Sequence, residues 1–314
     1  MSWQEKLELG QLVLIDGGTG SELQRRGVPM NEAAWSGLAV HTHPHVVREV
    51  HEAYIDAGAE VIVTNTFGTT RFLLDAAGLG DEFENINRNA VRLAVEAREA
   101  SGRDIAIAGS LSNLPPGMQP ANYPLAEAEL VGLSELANLL ADCGVDLIAL
   151  EMMQDTRHAV RAMEAALATG LPVWLGVSCR LRPDGGGLVS FDLPGMDFAR
   201  PLDALIPMGP DVVNIMHSDL DAVAPAMAMV RERWQGPVGV YPETGEFSPP
   251  DWTFDPEFTP ERIVEHARDW VARGALLIGG CCGTTPEHIR ALNQAFNPAA
   301  ATESRGAHYP GPGH

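Results

Sequence analysis

The sequence predicts one α/β domain folded as a (β/α)8 TIM barrel, and three observations lead to that fold class. Eight short apolar runs alternate with eight longer amphipathic stretches along the 314-residue chain. The runs are apolar almost throughout, as is typical of parallel strands buried on both faces. Acidic, amide, histidine and thiol groups cluster directly after the runs, at the strand ends where barrel enzymes build their sites.

Each apolar run is assigned to a strand and each amphipathic stretch to a helix. The strands are expected at residues 12–15, 60–64, 105–108, 145–150, 172–177, 211–215, 237–241 and 275–278. The helices are expected near residues 44–57, 82–101, 125–142, 155–168, 198–207, 219–233, 259–273 and 286–296. A doubly wound open sheet is the alternative, but such sheets more often have about six or seven strands. The count of eight favours the barrel.

Two segments that follow predicted strands are too long and too rich in glycine or proline for ordinary turns. They are residues 182–194 after the fifth strand and 243–260 after the seventh. Because βα loops form the site in barrel enzymes, both are expected to contribute to it. No change in composition marks a linker, so residues 1–297 are predicted to form one domain. The tail at 298–314, rich in alanine, glycine and proline, is predicted to be disordered.

The composition limits the partners that the chain can have. Its formal net charge of −21 argues against nucleic acid, which needs a positively charged face. No apolar run approaches the ~20 residues that cross a bilayer, and no signal peptide is visible. Four cysteines in 314 residues are too few for a disulfide scaffold. We therefore expect a cytoplasmic protein without a membrane or nucleic-acid partner, whereas the oligomeric state is not predicted.

Two adjacent cysteines form the most informative local motif. Residues 279–283 read Gly-Gly-Cys-Cys-Gly directly after the eighth predicted strand, so the thiols of Cys281 and Cys282 are expected at the barrel mouth. Thiolate sulfur is a preferred ligand of zinc, which makes a metal site one interpretation. A strained vicinal disulfide and a pair of buried apolar cysteines are the alternatives.

Polar groups after other predicted strands are expected at the same mouth. Asp16, Gly17 and Gly18 follow the first strand, Asn65 follows the second, and Glu151 follows the fourth. The glycine amides can bind a carboxylate as a small nest, and the two carboxylates can hold a substrate ammonium. The alternatives are a tight βα turn for the glycines, and helix caps or an internal salt bridge for the acidic and amide side chains.

His217 follows the sixth predicted strand and is expected near the two thiols. One histidine and two cysteines supply three protein ligands and leave the fourth tetrahedral position of zinc open for substrate, as in catalytic zinc sites. A hydrogen-bonded turn residue is the alternative interpretation of this histidine.

The order of these segments resembles the homocysteine S-methyltransferase family. The matching segments are residues 16–23, 54–59, 64–67, 146–151, 241–242 and 279–283. The resemblance implies a (β/α)8 barrel and a zinc ion held by three thiolates, two of which match Cys281 and Cys282. His217 stands at the position of the third thiolate. Glu243 and Thr244 stand where the family usually has Asn-Ser.

The resemblance also implies the activity. It is the zinc-dependent transfer of a methyl group from a sulfonium or ammonium donor to the thiolate of homocysteine or a related small thiol, giving methionine. The amides of Gly17 and Gly18 would hold the amino-acid carboxylate, and Asp16 and Glu151 its ammonium. Asn65, in a matching segment, is also predicted to bind substrate.

The histidine at the third ligand position keeps two other functions open. One is a zinc-binding barrel that has lost methyl transfer and binds or senses a thiol. The other is a zinc-dependent hydrolase or lyase in which the metal activates water.

Overall fold

Eight parallel strands form the centre of the molecule in the computed structural model, which describes residues 1–297. The strands are β1 (Val13–Leu14), β2 (Val61–Val63), β3 (Ala106–Ser112), β4 (Leu147–Glu151), β5 (Val173–Val177), β6 (Val212–Met216), β7 (Val238–Tyr241) and β8 (Leu277–Ile278). Each strand from β2 to β7 pairs with the next one along the chain, and β8 pairs with β1. An isolated bridge between Ile15 and Val61 joins β1 to β2. The predicted barrel is confirmed.

Eight main helices surround these strands within residues 1–297. They are α1 (Pro44–Ala57), α2 (Phe83–Ser101), α3 (Ala126–Asp142), α4 (Thr156–Leu167), α5 (Ala199–Leu205), α6 (Leu220–Arg231), α7 (Pro260–Ala272) and α8 (Pro286–Phe296). The bounds of α1 and α8 are those predicted, and the others begin or end one or two residues inside the prediction. Further helices that the sequence pattern does not predict lie at Trp3–Glu8, Thr19–Arg25, Ala39–Thr42 and Arg71–Ala76.

Helix ends follow from local chemistry. Pro44 begins α1, where its missing N–H needs no partner, and Gly58 ends this helix in the left-handed conformation with φ 116°. The side chain of Thr259 caps α7 by accepting a hydrogen bond from the N–H of Arg262. These residues set the helix bounds independently of the barrel contacts, which is why the bounds could be predicted well.

Side chains alternate along each strand between the barrel interior and the surrounding helices. On β6, Val212 and Met216 belong to the interior cluster, whereas Val213 and Ile215 belong to the cluster between strands and helices. Every residue of β6 is buried. Burial on both faces is the reason why the strands appear in the sequence as continuous apolar runs.

The helix Trp3–Glu8 closes the end of the barrel at which the strands begin. The indole of Trp3 meets the indole of Trp174 edge to face, with ring centroids 5.2 Å apart. Both side chains belong to the interior cluster. An ion pair between Lys6 and Glu60 fixes the helix beside β2. The helix therefore covers the apolar interior at this end.

Two βα loops carry strands of their own at the opposite end. The loop after β5 forms an antiparallel sheet of Cys179–Leu181, Leu188–Ser190 and Leu193–Asp197. The loop after β7 forms a hairpin of Glu246–Ser248 and Asp251–Thr253. The sequence predicts long loops here but not their strands, because glycine and proline interrupt any alternating pattern.

Two reciprocal hydrogen bonds fix this hairpin to the first βα loop. The side-chain Nε2 of Gln24 donates to the carbonyl of Trp252 at 2.9 Å, and the N–H of Trp252 donates to Oε1 of Gln24 at 2.8 Å. Gln24 belongs to the helix Thr19–Arg25. The hairpin is therefore held against the loop that follows β1.

Two predictions concern the chain ends and the location of the protein. The tail predicted to be disordered, residues 298–314, lies outside the described residues, and the domain boundary at residue 297 stays a prediction. Among residues 1–297, no helix combines the length and the apolar character that a membrane span requires. The cytoplasmic location also stays a prediction.

Replacing Trp3 with alanine is expected to destabilise the barrel. The indole is only 8% exposed, and removing a buried aromatic side chain costs about 3–5 kcal/mol. Leu9→Ala is the matched control, because Leu9 is 64% exposed just beyond the same helix. Urea unfolding followed by circular dichroism measures both variants. Unfolding free energies that agree within about 0.5 kcal/mol would contradict the role given to this helix.

Candidate metal and substrate site

A cavity of about 500 Å³ opens at the carboxyl ends of the strands. Its wall includes residues from the three-stranded sheet and from the hairpin as well as from the strand ends. Every residue predicted for the site lines this cavity, namely Asp16, Gly17, Gly18, Asn65, Glu151, His217, Cys281 and Cys282. Groups from five strand ends therefore share one space.

His217, Cys281 and Cys282 lie together as a set of potential metal ligands. Their ligand atoms are all within 4.8 Å of one another. Nδ1 of His217 is 3.5 Å from Sγ of Cys281, which is 4.0 Å from Sγ of Cys282. Both cysteines are free thiols, so the structure does not contain the vicinal disulfide. A single ion can span such separations, since zinc bonds to nitrogen and sulfur are about 2.0–2.3 Å long.

The local backbone brings these ligands together. His217 has φ 41°, a left-handed conformation that is uncommon for a residue with a side chain. The N–H of Cys281 donates to the carbonyl of Pro242 at 2.9 Å. A Cβ atom at Gly18 would lie 2.6 Å from the carbonyl oxygen of Cys281. Glycine therefore allows the turn after β1 to approach the cysteine turn.

Asp16 and Glu151 are buried carboxyl groups in the same cavity. Oδ2 of Asp16 accepts a hydrogen bond from the N–H of Val63 at 2.8 Å, and Glu151 accepts one from the hydroxyl of Ser110. Burial raises the pKa of Asp16 well above its ordinary value, and the charge of Glu151 adds to this effect. Burial also raises the pKa of Glu151 to about 7. A bound ammonium group would stabilise both charged forms.

The turn at Gly17 and Gly18 has free hydrogen-bond donors for a ligand, whereas the side chain of Asn65 does not. Gly17 and Gly18 line the cavity, and their N–H groups have no hydrogen-bond acceptor within residues 1–297. They are therefore available to a carboxylate. The side chain of Asn65 is already engaged, because it accepts from the Ser36 hydroxyl and donates to the Ser36 carbonyl, both at 2.8 Å. Its substrate role stays a prediction.

The sequence reasoning missed Arg180 and Phe191 and noted Glu243 only as a departure from the family. The imidazole of His217 meets the rings of Phe191 and Trp252 edge to face, with centroids 4.8 and 5.9 Å away. The guanidinium of Arg180 lies 3.8 Å above the centre of the Phe191 ring. Their position in the sequence could have identified Arg180 and Glu243 as site residues, because each follows closely after a predicted strand.

The raised pKa of Glu151 predicts a pH dependence of stability. Folding raises this pKa from 4.5 to about 7. The ligand-free protein therefore loses stability as the pH rises through this window, since the folded state holds the proton more tightly. Glu151→Gln removes the ionisation and should stabilise the protein relative to wild type by about 1–3 kcal/mol more near pH 7.5 than near pH 5.

Urea unfolding at the two pH values measures this difference. Glu127→Gln is the control, because Glu127 is an exposed glutamate at the start of α3. A stability difference between Glu151→Gln and wild type that is independent of pH would contradict the raised pKa.

Comparison with known proteins agrees with the geometry. A family model for homocysteine S-methyltransferase matches residues 13–296. Homocysteine S-methyltransferase 3 of Zea mays is 28% identical over 92% of this chain and 90% of the relative. Selenocysteine methyltransferase of Astragalus bisulcatus is 29% identical over 91% of this chain and 92% of the relative.

A solved structure gives the same relationship. The metallated form of the homocysteine methyltransferase MmuM from Escherichia coli matches with a TM-score of 0.73 and 25% identity, over 90% of this chain and 95% of that one. The resemblance seen in the sequence is therefore confirmed: the chain belongs to the homocysteine S-methyltransferase family, and it is a methyltransferase.

Proposed function

We propose that the protein is a zinc-dependent S-methyltransferase. It moves a methyl group from a sulfonium or ammonium donor to the thiolate of homocysteine, giving methionine, or to a related small thiol or selenol. The observation that carries this proposal is the set formed by His217, Cys281 and Cys282, whose ligand atoms lie within 4.8 Å of one another in the cavity. Membership of the family supports the reaction class.

The chemistry of the donor atoms fits zinc. One imidazole nitrogen and two thiol sulfurs are ligand types that zinc prefers, and three protein ligands leave one tetrahedral position for a substrate. The metallated form of the MmuM relative supports a metal in this fold. Two thiolates are unusual for a zinc ion that activates water, so a hydrolase or lyase is disfavoured.

Bound zinc would hold the acceptor sulfur as a thiolate at neutral pH, whereas a free thiol with a pKa of about 8.5 is mostly protonated. The residues of the chain orient the acceptor. The amides of Gly17 and Gly18 bind its carboxylate, and Asp16 and Glu151 bind its ammonium. These four groups hold the amino-acid end of the acceptor, so its sulfur, at the other end, is free to reach the cysteine turn that lines the same cavity.

His217 gives this site a charge different from that of three thiolates. A neutral imidazole in place of a thiolate makes the ligand set less negative by one unit. The acceptor thiol should then have a lower pKa, and its sulfur should be less nucleophilic, since nucleophilicity falls with pKa. We therefore expect methyl transfer that persists at a rate different from that of a site with three thiolates.

Zinc content tests the proposed ligands. Elemental analysis of the wild type under reducing conditions should give about one zinc per chain. His217→Ala, Cys281→Ser and Cys282→Ser should each lose most of it, because two remaining ligands hold zinc poorly. Cys143→Ser is the matched control, since Cys143 is a free cysteine outside the cavity. His217→Cys should retain zinc and methyl transfer to homocysteine.

Two results would contradict the proposal in different ways. Full zinc content in His217→Ala together with loss in Cys281→Ser would remove His217 from the ligand set. A zinc-loaded wild type that transfers no methyl group to homocysteine from any sulfonium or ammonium donor would instead favour a barrel that only binds or senses a thiol.

A further inference from the structure

A short segment after β7, residues 241–244, lies between the two turns that carry the proposed metal ligands. On one side, the N–H of His217 donates to the carbonyl of Tyr241 at 3.2 Å. On the other side, the N–H of Cys281 donates to the carbonyl of Pro242 at 2.9 Å, and the carbonyl of Cys282 accepts from the N–H of residue 244 at 2.9 Å. The segment therefore has a fixed position between the imidazole and the two thiols.

Glu243 is the charged residue of this segment, and one of its carboxylate oxygens has no partner. The residue is 7% exposed and lines the cavity. Its Oε2 is enclosed and has no hydrogen-bond partner within residues 1–297. Burying a carboxylate in this way is costly unless a positive charge lies near it. The acceptor contacts proposed above do not use Glu243.

Four other side chains act on Glu243 through their charges. Burial raises the pKa of Glu243 to about 7, the charges of Asp219 and Asp192 add to this rise, and those of His217 and Arg180 oppose it. Since Oε2 is hydrogen-bonded to none of them, these charges act through space. A metal dication bound beside the imidazole would add positive charge and favour the ionised carboxyl.

The two neighbouring carboxyl groups are placed differently from Glu243. Asp192 is exposed, and it accepts a hydrogen bond from Nε2 of Gln154 at 2.9 Å. Asp219 is half-buried just before α6. Burial raises the pKa of Asp219, and the charge of Arg180 opposes the rise. Glu243 is therefore the one of these three carboxyl groups that is buried and lies between the two ligand turns.

The proposed ligand set and Glu243 complement each other in charge. Two thiolates and a neutral imidazole balance the two charges of a zinc ion, whereas three thiolates exceed them by one. Glu243 holds one negative charge next to the turn of the imidazole ligand, His217. Both positions depart from the family pattern, with an imidazole in place of a thiolate and a carboxylate in place of a neutral amide. The two departures are opposite in charge.

We propose that Glu243 is a positioning residue of the metal centre, and that its carboxylate supplies from outside the ligand set the negative charge that the imidazole of His217 lacks. This inference rests on the ligand set given in the proposed function. The ligand atoms remain those of His217, Cys281 and Cys282. A buried charge acts strongly on a nearby cation because little water screens it. The carboxylate therefore strengthens metal binding without a bond to the ion.

Zinc affinity, measured under reducing conditions by competition with a chromophoric chelator, tests this role. Glu243→Gln should bind zinc about 10- to 100-fold more weakly than wild type, the usual loss when a group that supports a metal ligand is removed. Arg180→Gln should bind zinc more tightly, because it removes a positive charge from the same surroundings. Misfolding does not produce such a gain. Asp192→Asn should have a smaller effect than Glu243→Gln, since Asp192 is exposed.

The His217→Cys variant gives the most direct comparison. In that background a third thiolate supplies the missing charge, and it also repels the carboxylate of Glu243. Adding Glu243→Gln should therefore lower the zinc affinity of His217→Cys much less than it lowers that of wild type. Glu257→Gln is the matched control, because Glu257 is an exposed glutamate of the same loop outside the cavity, and it should leave zinc affinity unchanged in both backgrounds.

Cobalt(II) distinguishes a supporting charge from a metal ligand. The visible spectrum of bound cobalt depends on the number, type and geometry of its ligands. At saturating cobalt, wild type and Glu243→Gln should have the same thiolate charge-transfer and ligand-field bands, because the ligand set is the same in both. A supporting charge thus changes the affinity and leaves the spectrum as it is.

Three results would overturn the inference. One is an unchanged zinc affinity in Glu243→Gln. Another is an equal loss of affinity in the wild-type and His217→Cys backgrounds. The third is a changed cobalt spectrum in Glu243→Gln, which would make Glu243 a ligand.

Methyl transfer separates this inference from the proposed function. Transfer to homocysteine by a wild type whose Glu243→Gln variant keeps full zinc affinity would reject the inference and leave the proposed function standing. Absence of transfer from every donor, with zinc affinity that depends on Glu243, would reject the proposed function and support the inference. A wild type that binds no zinc would overturn both.

Discussion

The candidate site depends on the backbone hydrogen bonds that join the cysteine turn to the strand ends on either side of it. The N–H of Gly280 donates to the carbonyl of Asp16 at 3.1 Å, and the N–H of Cys281 donates to the carbonyl of Pro242 at 2.9 Å. Strands β1 and β8 are only two residues long. These bonds therefore continue the pairing of the strands beyond the regular sheet. They fix the two thiols, the Asp16 carboxyl and the end of β7 relative to one another.

Much of the fold and of the site could be predicted because both depend on local patterns. Apolar runs give strands buried on both faces, and residues such as Pro44 and Gly58 mark helix ends by their own conformational limits. Once eight strands are placed in a barrel, the residue after each strand must lie at the same end. That geometry alone brings Glu151, His217 and Cys281 to one cavity from distant parts of the sequence.

The parts that could not be predicted depend on contacts between loops. Arg180 becomes part of the cavity because the chain after β5 folds back into an antiparallel sheet, and Phe191 supplies the surface on which its guanidinium rests. No periodic pattern marks such pairing in a segment rich in glycine. The engagement of Asn65 by Ser36 is also invisible in the sequence, because it joins two loops that only the barrel brings together.

The bonds between Gln24 and Trp252 have a consequence for how this protein can diverge. They join the hairpin to the helix that begins directly after Gly18, so the loops after β1 and β7 behave as one unit. If the hairpin alone were replaced by that of a relative, the hydrogen bonds to Gln24 would be lost. The helix that carries Gln24, and with it the turn at Gly17 and Gly18, would then be free to shift. The two loops are therefore expected to co-vary among homologues, and an engineer who wishes to exchange one must exchange both.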